Sequence, residues 1–487
     1  MTDPTIVETA GGRVCGLRTA SGLTFRGVPY GTAGSRFTAP GPARTWDADR
    51  EAREPGAACP QPDRAVARFT HGDPPRLRED CLNLNIHTTS LDGARPVMVW
   101  LHGGGFAIGH ASASLYDGAR LAHDADAVVV TVNYRLGSFG WLCHPALAQE
   151  PGSPAGNWGL LDQIAALRWV QRNARAFGGD PRRVTVAGQS AGALSALDLL
   201  TAPLADGLFS RLILQSPPLA DAVQPAEAGF AWAQALTRAA GAEDPRRLRE
   251  VPAGELVALH EAVLEQPEFR GKRGALPTVD PATLPTSPLD TPGARPEVEI
   301  LIGWTADEGT FFFDCPWRPA PDPQRIPGIV AHLTAATEPS ELIDRYREHA
   351  APGRDDDQAL LVAIATDAMF AGPITSYARA RVRTSTGRVF TYRFDHPGGG
   401  SRLRATHSSE VPLLFGTWRD GGAGERLGGQ ATGADEVARR LVGSWRGFLH
   451  GDGPGWASLT TGHDDVGVFG GDSPLHIEHD TANRITI

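Results

Sequence analysis

The sequence predicts an α/β fold with a large, mostly parallel sheet, helices on both faces and further helical segments over one edge. Three observations predict it. Residues 97–101 and 127–132 are short, almost wholly apolar runs, as expected of strands covered on both faces. Segments of helical pattern alternate with such runs, beginning with 115–124 and 160–177. Finally, Val184-Thr185-Val186-Ala187 enters the turn Gly188-Gln189-Ser190-Ala191-Gly192, which leaves directly into the mostly apolar stretch 193–200. That is the pattern of a sharp strand-to-helix turn with a serine at its apex.

Taken in order, residues 1 to about 95 alternate short extended pieces with turns such as Val28-Pro29-Tyr30-Gly31, an irregular, partly β meander. Cys59 and Cys81 enclose a polar, proline-containing loop, and Leu82-Asn83-Leu84-Asn85-Ile86 then alternates as a half-buried strand does. Further strands are expected at 183–187, 212–214, 298–303 and 389–394. The clearest helix is 160–177. Leu160, Ile164, Leu167 and Val170 share one face, Arg168, Arg172 and Arg175 lie on another, and Gly178-Gly179-Asp180-Pro181 stops it. Residues of about 225–295 and 320–385 are rich in Ala, Arg, Glu and Pro and mostly helical in pattern; they read as insertions over the edge where substrate pockets are built. A last helix is expected at 434–449, and an irregular Gly- and Asp-rich tail after Gly451.

The 487 residues are read as a single catalytic domain, 1–487, carrying these insertions. With 41% hydrophobic and 21% charged residues the composition is that of a soluble globular protein. No run approaches the roughly 18–20 apolar residues of a membrane span. A net charge of −10 without a basic cluster argues against nucleic acid or anionic membrane as the main partner. The first residues lack a basic and then apolar leader, so the expected location is cytoplasmic. Five cysteines, with neither CxxC nor a Cys/His cluster at zinc spacing, give no reason to expect a metal.

A serine hydroxyl attacks an ester only with a base in reach, a carboxylate to orient that base, and donors for the developing oxyanion. The donors are expected at His102-Gly103-Gly104-Gly105-Phe106, directly after strand 97–101, where successive glycines let backbone N–H groups converge. Ala191, at the start of the helix after Ser190, supplies a further N–H. His102 reads as a brace for the loop rather than the base. Downstream of the serine, strand 298–303 is followed by the adjacent carboxylates Asp307 and Glu308, and either could serve as the acid. His396 and His407 are both candidates for the base, and spacing does not separate them.

These residues resemble the type-B carboxylesterase family of α/β-hydrolases, which includes cholinesterases and bacterial para-nitrobenzyl esterases. The resemblance rests on ordered motifs along nearly the whole chain: Arg26-Gly27-Val28-Pro29-Tyr30, Glu79-Asp80-Cys81-Leu82-Asn83-Leu84-Asn85, the HGGGF loop, Asn133-Tyr134-Arg135, Gly159-Leu160-Leu161-Asp162-Gln163, Phe177-Gly178-Gly179-Asp180-Pro181, and the serine turn. It implies an α/β-hydrolase fold and a serine carboxylesterase without cofactor, acting on a small-molecule ester. By family pattern it implies Ser190, Glu308 and His407 as the triad, and Gly104, Gly105 and Ala191 as the oxyanion hole. It also implies an Arg36–Glu79 ion pair, and places Cys59 and Cys81 where secreted members carry a loop-closing disulfide. Two departures stand out: Gln189 replaces the Glu that many relatives carry before the serine, and the 59–81 loop has no tryptophan. Both disfavour a cationic choline ester and favour neutral esters. Two rival readings share the fold: an acyltransferase or lactone-opening enzyme, and a non-catalytic binding member.

Overall fold

The apolar runs become strands of one 13-stranded sheet, twelve of which follow a continuous path. They are β1 (Thr5–Thr9), β2 (Gly12–Thr19), β3 (Gly22–Pro29), β4 (Asn83–Thr88), β5 (Arg95–Leu101), β6 (Val128–Val132), β7 (Gly179–Gln189), β8 (Arg211–Gln215), β9 (Glu299–Thr305), β10 (Val389–Phe394), β11 (Asp465–Gly470) and β12 (Ser473–His479). The computed structural model describes residues 5–270, 274–351, 353–429, 431–470 and 473–479. Along the path the order is β1-β2-β3-β4-β6-β5-β7-β8-β9-β10-β11-β12. The seven strands from β6 to β11 run parallel, and antiparallel pairings close both margins.

One apolar layer packs helices Trp158–Asn173, Ala191–Asp198 and Ala226–Ala239 against one sheet face; a second packs Ala119–Asp124 and Ala434–His450 against the other. A third, smaller cluster joins helices Ile326–Thr334, Pro339–Glu348 and Asp357–Thr366. The 225–295 segment carries helices Ala226–Ala239 and Ala253–Leu264, and the 320–385 segment is helical over most of its length. Within the latter, helix Asp357–Thr384 is long and apolar enough to cross a membrane by length and composition, but half of its apolar window is buried against the protein.

The expected irregular tail is corrected in one respect: β11 and β12 lie within it, and β11 extends the parallel array beside β10. The glycine that weakens the strand pattern, Gly467, lies under the indole of Trp456, where a Cβ would be 2.7 Å from the ring.

Candidate active site

Ser190 ends β7 with φ 56° and ψ −124°, a backbone state that costs a residue with a side chain about 1–3 kcal/mol. Its N–H donates to the carbonyl of Gln215 at 2.8 Å, tying the turn to β8. Gly192 is demanded by the packing of the next turn: a Cβ there would sit 2.0 Å from the carbonyl oxygen of Leu101, at the end of β5. The serine helix is thereby pressed onto the strand that feeds the glycine loop.

In that loop Gly104 adopts φ +119°, and a Cβ would lie 2.1 Å from the Ile108 carbonyl. His102 braces the loop: its Nδ1 lies 2.8 Å from the Gly103 carbonyl, and its ring stacks on Tyr134 at 4.5 Å. The Tyr134 hydroxyl donates to the His102 carbonyl at 2.6 Å. Among the described residues, the N–H groups of Gly104, Gly105 and Ala191 donate to no protein acceptor.

The two adjacent carboxylates part company. Glu308 is wholly buried, with Oε2 at 2.5 Å from Nδ1 of His407 and Oε1 accepting the Thr305 N–H at 2.8 Å. Asp307 instead pairs with Arg354 at 2.7 Å and faces Arg404 at 3.6 Å. Burial pushes the Asp307 carboxyl up to about 6, with Arg404 opposing. His396 is buried elsewhere, its ring beside Phe394, while His407 lies in a cage of Phe311, Phe312 and Phe370 with ring centroids 5.2, 5.5 and 5.2 Å away.

Sequence reasoning missed two features. Phe370 reaches His407 from a π-helical turn, Asp367–Ala371, in the middle of a segment read simply as helical. Nε2 of His407 lies 3.0 Å from Nε2 of Gln189, so the buried Gln189 amide faces the nitrogen that a serine hydroxyl would need. With Nδ1 donating to Glu308, Nε2 holds a single lone pair, and Gln189 occupies it. Burial pushes Glu410 up to about 8, with a 2.9 Å bond from Gln215 opposing and Glu308 adding to the effect.

Ser190, His407, Gln189, Gly104 and Gly105 open onto one cavity of about 320 Å³, walled by Phe311 and Phe312. Of the other aromatic residues near the motifs, Phe106, Trp141, Trp158 and Trp304 are core, and Trp317 lies in an adjoining outer recess. A larger cavity of about 460 Å³ is lined by Asp307 but not by Ser190, Glu308, His407, Gly104 or Gly105. Arg36 and Glu79 form the implied ion pair, bonded twice at 2.6 Å, and Cys59 and Cys81 are buried free thiols. No group of three or more His, Cys, Asp or Glu among the described residues could hold a metal ion.

The sequence profile of the carboxylesterase family matches residues 3–458. The chain is 36% identical over 421 residues to para-nitrobenzyl esterase of Bacillus subtilis (strain 168), covering 84% of this chain and 83% of that protein. It is 36% identical over 428 residues to phenmedipham hydrolase of Pseudarthrobacter oxydans, covering 84% and 82% respectively. A solved thermophilic PNB esterase superposes with a TM-score of 0.84 at 32% identity over 99% of this chain and 98% of its own. The chain therefore belongs to the carboxylesterase family of α/β-hydrolase-fold serine esterases, and is a carboxylic ester hydrolase.

Proposed function

We propose that Ser190 is the nucleophile, His407 the general base and acid, and Glu308 the carboxylate that orients and stabilises the imidazolium. The N–H groups of Gly104, Gly105 and Ala191 form the oxyanion hole. One observation carries this reading: the buried 2.5 Å Glu308–His407 bond stands at a cavity that Ser190 and the glycine loop also line. Gln189 has to release Nε2 before Ser190 can donate to it. Oγ then bonds to the ester carbonyl carbon, its proton passes to Nε2, and the tetrahedral oxyanion is held by three unpaired N–H groups. Collapse expels the alcohol, which takes the proton from His407. Water, deprotonated by the same nitrogen, hydrolyses the acyl-enzyme and regenerates Ser190. The cycle calls on no metal or organic cofactor.

Substitution of Ser190 by Ala lowers kcat on the order of 10⁶-fold and abolishes time-dependent labelling by a fluorophosphonate. Retained turnover or labelling in the variant refutes the assignment, and an unlabelled wild-type protein supports the non-catalytic reading. Gln189, in place of a carboxylate, and a 59–81 loop without tryptophan leave the cavity suited to uncharged esters rather than choline esters. We place the enzyme in a bacterial cytoplasm, on its five cysteines and its arginine-rich composition, and take residues 1–487 as one catalytic unit. Fractionation of the producing cell tests the location.

A further inference from the structure

Among the described residues, the charged side chains that line the catalytic cavity are Arg64 and Arg318, and no Asp or Glu lines it. The two arginines are not equivalent. Arg64 is clamped by Glu261 through two bonds of 2.9 and 2.6 Å, which neutralises it. Arg318 has no acidic partner within ion-pair distance among the described residues; its side chain donates from Nη1 to the Phe312 carbonyl at 3.4 Å. Arg318 and His407 line the same cavity, and the Phe312 ring packs 5.5 Å from the His407 imidazole. Glu261 and Glu265 do not line the catalytic cavity; they share the adjoining outer recess with Arg64 and Arg318, and neither lies within ion-pair distance of Arg318. The inner cavity therefore combines apolar walls, the proposed reacting groups and, where it borders the outer recess, one exposed guanidinium without an ion-pair partner among the described residues.

Resting on the serine esterase reading, we propose that Arg318 gives this cavity, beyond its room for neutral esters, a recognition point for a carboxylate carried on the substrate. The preferred substrate class is then an ester whose acyl chain ends in a carboxylate, such as the half ester of a dicarboxylic acid. A guanidinium offers such a group paired N–H donors in a planar fork, and the apolar walls hold the methylene chain between the two ends. The same cation penalises a positively charged substrate.

The test compares mono-4-nitrophenyl esters of adipic and suberic acid with the 4-nitrophenyl esters of hexanoic and octanoic acid. These chains are long enough that the free carboxylate does not attack its own ester. In wild type, kcat/KM for the half ester relative to the equally long neutral ester falls as salt is added. In Arg318→Gln that ratio drops about three- to fivefold, the size of a partly exposed ion pair, through KM of the half ester. Arg318→Glu lowers it further, and Arg318→Lys retains most of it. An unchanged ratio in both the Gln and Glu variants overturns the proposal, as does an equal loss on both substrates, which marks a structural role. Failure of the wild-type protein to hydrolyse either ester overturns the underlying serine esterase reading instead.

Discussion

Asp307 and Glu308 are neighbours in sequence and opposites in environment. Glu308 has both oxygens committed to His407 and the Thr305 N–H, whereas Asp307 faces Arg354 and Arg404. Glu308→Gln therefore lowers kcat on the order of 10⁴-fold, as loss of a triad carboxylate does, while Asp307→Asn stays within a few-fold of wild type; steady-state kinetics on one ester decides between them. Gln189 invites a subtler test. A carboxylate at this position, 3.0 Å from Nε2 where the amide now stands, favours the imidazolium by charge attraction. The base must be neutral to act, so in Gln189→Glu the acid limb of the kcat/KM profile moves to higher pH, by about one unit. The Gln189 contact was not legible in the sequence, because it depends on how two residues 218 positions apart meet.

Elements whose burial is encoded locally were legible. Strands β5 and β6 are almost wholly apolar over 97–101 and 128–132 because both faces are covered, and the serine turn shows in its glycines because its helix lies on the Leu101 carbonyl. The proposed acid and base rest on family pattern, since Asp307 or Glu308, and His396 or His407, fitted the chemistry equally in the sequence. β11 was read as irregular because the tail is rich in Gly and Asp; the strand accommodates Gly467 under the ring of Trp456, a packing that composition does not encode. The loop after β6 is tied to helix Trp158–Asn173 by Arg135, which makes bonds of 2.8 and 2.6 Å to Asp162, both side chains being almost wholly buried. Removing one partner strands a buried charge, so Arg135→Ala costs about 3–5 kcal/mol in urea unfolding.

Buried ionisable groups tilt the stability of the whole molecule in both directions with pH. Burial lowers His87, His102, His110 and His260 to about 4, and raises Glu410 to about 8. For each histidine the unfolded chain takes up its proton near pH 6.5 and the fold only near 4, so stability is lost as pH falls through that window. Glu410 is protonated in the fold to about pH 8 but ionises in the unfolded chain near 4.5, so its contribution is lost as pH rises between those values. Neither ring nitrogen of the buried His110 has a hydrogen-bond partner among the described residues. His110→Phe should gain about 1.4 kcal/mol over wild type for each unit that pH falls from 6.5 to 4, and Glu410→Gln a similar amount for each unit that it rises from 4.5 to 8. Urea midpoints across pH check both slopes. The sheet path carries a kinetic consequence as well. The glycine loop follows β5, Ser190 ends β7, Glu308 follows β9 and His407 comes after β10, so the reacting groups converge only once strands far apart in the chain have paired side by side. Such non-local pairing is slow to form. During refolding, catalytic activity should return with the last phase, after most of the helical signal, and a nascent chain that ends before β10 carries its nucleophile without a base.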